Sequence, residues 1–236
     1  MTYEEITKEL FPDKYNQKIK NWLNRRYGEA EGNRIFEKTK DNYLSYYKDL
    51  PDYGGKNNGH AAAIYGGLLV FALYEALEDK PPMEELQELT KDVFMEPFRK
   101  LGKIFDLNRR SNMWLIDKVF NRVGKRDRED LKKYPEGFDN TNLPYDSKNQ
   151  ISRYVFNRCP NAEFAKKHDL LHVLPLCCNC DFYGIEQIHG TLIREGTCGN
   201  SDHCDYCVVG NNNPLAKQYE IVKDENGFLV SRYKEI

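Results

Sequence analysis

The sequence predicts an α+β fold: a helical N-terminal region packed with a C-terminal antiparallel sheet carrying short helices. Three observations point there. Up to Lys133, apolar residues recur at spacings of three and four, the period of a helix with one buried face. After residue 150 the pattern changes to short runs rich in β-branched and aromatic residues, which suit strands. The pair Asn226-Gly227 then separates the last two of these runs, a strong short-range hairpin signal. Composition agrees, with 40% hydrophobic and 31% charged residues among 236, a balance that argues against wholesale disorder.

The helices follow in order. Ile19, Trp22, Leu23, Tyr27, Ile35, Phe36, Tyr43, Leu44 and Tyr47 mark two of them between Lys14 and Leu50. Gly28 and Gly32 suggest the break, and Pro51 with Gly54, Gly55 and Gly59 the end. His60 to Glu78 is apolar nearly all round, as in a helix at the centre of a bundle. It is too short to span a bilayer, which takes about 20 apolar residues. His60, at its glycine-rich entry, suits a cap or a packing role. Pro81 and Pro82 punctuate, and Met83 to Leu101 forms a helix interrupted at Pro97. Another runs from Arg110 to Lys133. Within it the charge run Arg122 to Lys133 mixes both signs and reads as a solvated face.

Residues 134–150, rich in Pro, Gly, Asn and Asp, connect the helical region 1–133 to a cysteine-rich α+β region 151–236, the whole forming one compact unit. In the latter, Ile151 to Asn157 reads as a strand, Asn161 to His168 as a short helix, and Leu170 to Gly184 as a helix with Pro175 in its first turn. Strands follow at Ile188 to Glu195, Cys204 to Gly210, Tyr219 to Asp224 and Phe228 to Tyr233.

The net charge of -2 offers no global basic surface, so no nucleic-acid partner is expected. The N-terminus lacks the basic start and apolar stretch of a secretory signal. A cytoplasmic location and no membrane partner are therefore expected. The partner expected is a small-molecule substrate, and a homo-oligomer is compatible with the sequence.

All seven cysteines fall after residue 158. In a reducing compartment disulfides are the weaker reading, and thiol chemistry, metal binding or buried packing thiols are the stronger ones. Two CxxC pairs, Cys177 with Cys180 and Cys204 with Cys207, have spacing that suits four-thiolate zinc. Strand alternation over Cys204 to Val209 opposes it, turning Cys204 and Tyr206 one way and Asp205 and Cys207 the other. No cofactor is expected, with zinc on those four sulfurs as the alternative. On a helix, Cys178 and Asp181 share a face, three residues apart. A thiol and a carboxylate could thus face a strand bearing Cys204 or Asp205. His172, His189 and His203 are candidate partners for a thiolate. A redox role for CxxC ranks low, because no strand-to-helix setting precedes Cys177.

At these residues the sequence resembles the L-2-amino-thiazoline-4-carboxylic acid hydrolase family. The elements carrying the resemblance are Cys159 with Glu163, Cys178 with Asp181, then Thr191, Leu192 and Gly196, then Cys204, Asp205 and Tyr206. The chain departs from the pattern in extra cysteines (Cys177, Cys180, Cys198 and Cys207), a longer segment from Thr197 to His203, and Tyr206 where Phe is more familiar. The resemblance implies hydrolytic opening of a cyclic isothiourea that carries a carboxylate, giving N-carbamoyl-L-cysteine. It implies Cys204 as nucleophile or substrate-contacting thiol, and Asp181 as base or amidine-binding carboxylate. Cys178 and Asp205 would support them. Cys159 and His189 would contact substrate, and Arg158, Arg194 or Arg153 would hold its carboxylate. The segment from Gly190 to Val209 also looks like the ending of 4-vinyl-reductase-type domains. The alternative is therefore a non-catalytic module that binds a small molecule or zinc.

Overall fold

The computed structural model describes residues 2–234 and divides the chain into two compact units, Met1–Phe94 and Met95–Ile236. The first is all helical. It opens with α1 (Tyr3–Leu10), capped by the reciprocal hydrogen bonds of Thr2 and Glu5. The second helix, α2 (Lys14–Tyr27), and α3 (Glu29–Asp49) meet at Gly28, whose φ of 81° is the left-handed turn glycine makes without strain. Gly32, expected at the break, instead lies inside α3, where a Cβ would strike the Asn24 backbone. After a short 3-10 turn (Gly55–Asn57), α4 (Ala61–Ala76) runs through the middle with nearly every side chain buried. Asn58 caps its entry by accepting from the His60 amide at 2.9 Å. The last helix of this unit is α5 (Met83–Phe94).

The second unit begins with α6 (Glu96–Leu101), so the expected interruption falls at Met95, and Pro97 sits in the first turn of the new helix, where its missing N–H costs nothing. The long α7 (Arg110–Asp130) follows. Then come β1 (Asp139–Asn142), β2 (Ser152–Arg158), α8 (Pro160–Lys167), α9 (Pro175–Cys178), α10 (Cys180–Gln187), β3 (Gly190–Ile193), β4 (Cys204–Gly210), α11 (Pro214–Lys217), β5 (Tyr219–Lys223) and β6 (Leu229–Tyr233). The antiparallel order β1-β2-β4-β3 makes the main sheet, and β5 pairs with β6 around Gly227 as the Asn-Gly signal predicts.

Three differences from the sequence reading have physical causes. Residues 139–142, expected to be connecting loop, form the edge strand β1, because backbone pairing with β2 outweighs the poor strand propensity of Asp-Asn-Thr-Asn. The helix expected from Leu170 to Gly184 is broken at Asn179. There the side chain accepts from the Leu229 amide at 2.8 Å and donates to the Gly227 carbonyl at 3.1 Å, tying the break to the hairpin turn. Contacts also divide the chain at residue 94 rather than in 134–150, and α7 lies with the sheet. That contact mixes a ring packing of Phe120 on Tyr154 at 4.8 Å with polar bonds: Asp117 accepts from Ser152 Oγ at 2.8 Å, and Asp127 accepts from Asn140 at 3.3 Å. Among the described residues no helix is long and apolar enough to cross a membrane.

Candidate active site

Alternation along β4 builds the site. Cys204 and Tyr206 are buried on one face, and Asp205 and Cys207 lie half-buried on the other. On β2, Tyr154 pairs with Tyr206 and Phe156 with Cys204. The rings of Tyr154 and Tyr206 stack at 4.5 Å between centroids. On the far side, Ile193 pairs with Cys207, so the next residue, Arg194, lies beside Tyr206.

The Arg194 side chain is wholly buried. Its Nη1 donates to Asp181 Oδ2 at 2.9 Å and to the Tyr206 hydroxyl oxygen at 3.2 Å, and Nη2 donates to the Cys178 carbonyl at 3.0 Å. The guanidinium also lies over Phe182 at 4.8 Å, a cation–π contact strengthened by the absence of water. Its Nε has no hydrogen-bond partner among the described residues. Ser231 of β6 clamps the Arg194 backbone, accepting from its N–H at 3.1 Å and donating an amide to its carbonyl at 2.7 Å. A buried cation needs such a set, because an unpaired charge in the interior is costly.

Asp181 sits in the first turn of α10. Besides Arg194, its Oδ2 accepts from the Tyr206 hydroxyl at 2.6 Å. One oxygen is therefore held from beneath, and the other, Oδ1, takes no donor from the described residues in a side chain that is 43% exposed.

Cys159, Cys178 and Cys204 are electrostatic neighbours of one another around this carboxylate and guanidinium. All seven cysteines are free thiols. Burial pushes the Cys159 thiol up to about 12, with nearby Cys204 adding to the effect. Burial likewise holds Cys177 and Cys178 well above the ordinary thiol range, against the pull of Arg194 on Cys178. Cys204 is raised by its hydrogen bond with the Cys198 thiol and by burial, while the Cys198 amide donates to its sulfur at 3.1 Å. Burial and the neighbouring Asp181 raise the Tyr206 phenol too. These are neutral groups around one ion pair.

That arrangement carries a pH dependence. An acid whose pKa rises on folding contributes stability in full below its unfolded value, and the contribution disappears as pH climbs through its folded value. For Cys159 the window runs from 9.0 to about 12. The urea midpoint is expected to be flat between pH 7 and about pH 9 and to fall steeply above it. A midpoint unchanged to pH 11 would contradict this burial.

The remaining expected residues lie elsewhere. Asp205 accepts from the Glu195 amide at 3.0 Å and the Gly196 amide at 2.8 Å, holding the turn after β3 from the other face of β4. Arg158 donates to the carbonyls of Gly137 and Pro135, binding down the turn before β1. His189, in a left-handed conformation after α10, bonds the Gly102 carbonyl at 3.1 Å. His203 pairs with Asp202 and is 45% exposed. Arg153 lies with Cys207, whose thiol it draws downward against the effect of burial. Cys180 donates its thiol to the Leu176 carbonyl at 3.3 Å. Cys204 and Cys207 thus occupy opposite faces of β4. Among the described residues, no group of three or more His, Cys, Asp or Glu is placed to hold a metal ion.

Sequence reasoning brought Cys159, Cys178, Asp181, Arg194 and Cys204 to one place. It missed Phe182, Asn179, Ser231 and the task of Tyr154, and it placed Tyr206 on the Cys204 face of the strand without a role. Two-residue alternation along β2 and β4 was the available signal for Tyr154 and Tyr206. None existed for Ser231, because β6 reaches the site only through tertiary pairing.

The family model of L-2-amino-thiazoline-4-carboxylic acid hydrolase matches residues 61–208, more than half of the chain, and includes Cys159, Cys178, Asp181, Arg194, Cys204 and Tyr206 but not Ser231. No curated protein and no solved structure matches the chain.

Proposed function

Because the chain belongs to the L-2-amino-thiazoline-4-carboxylic acid hydrolase family, we propose that it opens a small cyclic isothiourea by adding water at the carbon between nitrogen and sulfur, with Asp181 as the base. The observation that supports this most directly is the asymmetric Asp181 carboxylate: Oδ2 is fixed by Arg194 and Tyr206, and Oδ1 takes no donor from the described residues. A general base has to be held in place and still reach a water.

In this reading Oδ1 takes a proton from water as its oxygen bonds to the ring carbon. That proton passes to the ring nitrogen, which takes the C=N electron pair; the tetrahedral intermediate then collapses to a carbonyl with cleavage of the carbon–sulfur bond, and its hydroxyl proton passes by way of Asp181 to the departing sulfur, leaving a carbamoyl group on nitrogen. Arg194 keeps the carboxylate oriented from below. It is a positioning residue rather than the holder of the substrate's carboxylate, since its guanidinium is wholly buried and both Nη atoms are already engaged. Cys204, Cys178 and Cys159 line the reacting centre as neutral thiols. Of the two roles open to Cys204, the raised thiol favours contact with substrate over nucleophilic attack, because the thiolate is the nucleophile.

The test is to incubate the protein with L-2-amino-thiazoline-4-carboxylate, and with ring analogues lacking the carboxylate, following new free thiol and the carbamoyl product by mass spectrometry. Thiol release from at least one of these rings is expected, and a Cys204→Ala variant should retain measurable turnover. Release from none would sink the assignment, and complete loss in Cys204→Ala would restore that thiol as nucleophile.

A further inference from the structure

The net charge of the whole chain, -2, hides a strong local asymmetry. Between Phe98 and Arg126 the sequence has nine Lys or Arg and only two acids, Asp106 and Asp117, in a protein of net charge -2. Asp117 is buried against Ser152 and unavailable to offset the surface charge.

Helical geometry sorts the rest. The buried residues Met113, Asp117, Gly124 and Asp127 of α7 lie on one side. At 100° per residue, the opposite side carries Trp114, Leu115, Lys118, Val119, Arg122 and Lys125. All six are exposed, with Trp114 at 51% and Leu115 and Val119 at 46% each. Lys118, Arg122 and Lys125 form no salt bridge among the described residues, and the Lys118 ammonium lies over the Trp114 ring at 5.6 Å. The segment entering α7 continues the pattern: Lys103 is exposed, and Ile104 is 82% exposed, the most of any large apolar side chain in the described residues.

We propose that this outer face of α7 is a docking surface for an anionic lipid bilayer, with the cations on headgroups and Trp114, Leu115 and Val119 at the acyl boundary. The combination argues for this occupant. Exposed indole and branched aliphatic side chains on a basic helix face suit the lipid interface. Cations without counter-charges suit an acidic surface, each contributing about fivefold in affinity near it. A nucleic acid would engage the same cations and give the three apolar side chains nothing to enter. The helix lies on the surface and does not cross it.

The probe is vesicles of phosphatidylglycerol in phosphatidylcholine, compared with phosphatidylcholine alone. The protein has two tryptophans, so the Trp22→Phe variant leaves Trp114 as the only indole. Flotation with anionic vesicles at low ionic strength is expected, along with a blue shift of Trp114 emission and weakening by salt. The triple variant K118E/R122E/K125E changes only exposed side chains and should lower affinity at least ~100-fold with an unchanged circular dichroism spectrum. Absence of flotation overturns the proposal, as does flotation without a Trp114 shift or with undiminished affinity in the triple variant. Binding to DNA but not to vesicles would make the face a polyanion site. A dimer seen by light scattering and lost in W114S/L115S, without vesicle binding, would make it a self-association surface.

Discussion

Replacing Asp181 by Asn is expected to lower turnover of the ring substrate by roughly 10²–10⁴-fold, the usual range for a lost general base. Asparagine keeps the size and planarity of the side chain, and its Oδ1 can still accept from Arg194 and Tyr206 in place of the carboxylate Oδ2. What disappears is the proton acceptor at the other oxygen. The wholly buried Arg194 keeps a hydrogen bond to the asparagine oxygen but loses its counter-charge, so a folding cost of about 1–3 kcal/mol is expected. The signature is thus a fall in kcat, measured on folded protein, far larger than the loss of stability accounts for. A rise in KM at constant kcat would instead make Asp181 the ligand of the substrate's amidine. Turnover within threefold of wild type would remove it from the chemistry altogether.

Replacing Arg194 by Leu is expected to give the largest loss of stability of any single change at the site. The guanidinium is fully buried and supplies donors to Asp181, Tyr206 and the Cys178 carbonyl. Leucine would fill part of the volume while leaving those acceptors short of a donor. Breaking a buried pair costs about 3–5 kcal/mol, and solvent access to Asp181 brings this to about 2–4. For the second unit that corresponds to a melting temperature lower by roughly 10 °C. Arg194→Lys keeps the charge but not the planar fork, so it should recover only part of the loss. A Leu variant that melts like wild type would show that the ion pair contributes nothing net to folding. The two substitutions separate the roles: Asp181→Asn should affect rate far more than stability, and Arg194→Leu should affect both.

Much of this site was legible because its elements are local. Cys178 and Asp181 lie within four residues of each other, and Cys204 and Tyr206 share a strand face through two-residue alternation. The same alternation separated Cys204 from Cys207 before any contact was known. Asp205 was legible as a neighbour of Cys204 but not in its task, since holding the Glu195 and Gly196 amides depends on a turn that its own strand does not specify. Arg194 was visible as a cation near the site, one of three that could hold the substrate's carboxylate. Only its burial shows it to be the support beneath Asp181.

The sequence by itself determined most helices and strands, the Gly28 break, the Asn226-Gly227 hairpin and the concentration of cysteines after residue 158. Periodicity, turn residues and spacing act over a few residues, so they can be read in one dimension. Only the tertiary structure decided that β1 is a strand, that Asn179 breaks the second-unit helix, and that Ser231 and Phe182 complete the Arg194 site. Each depends on a partner distant in sequence or on burial, and burial determines whether a charge or a thiol is a surface feature or part of a site.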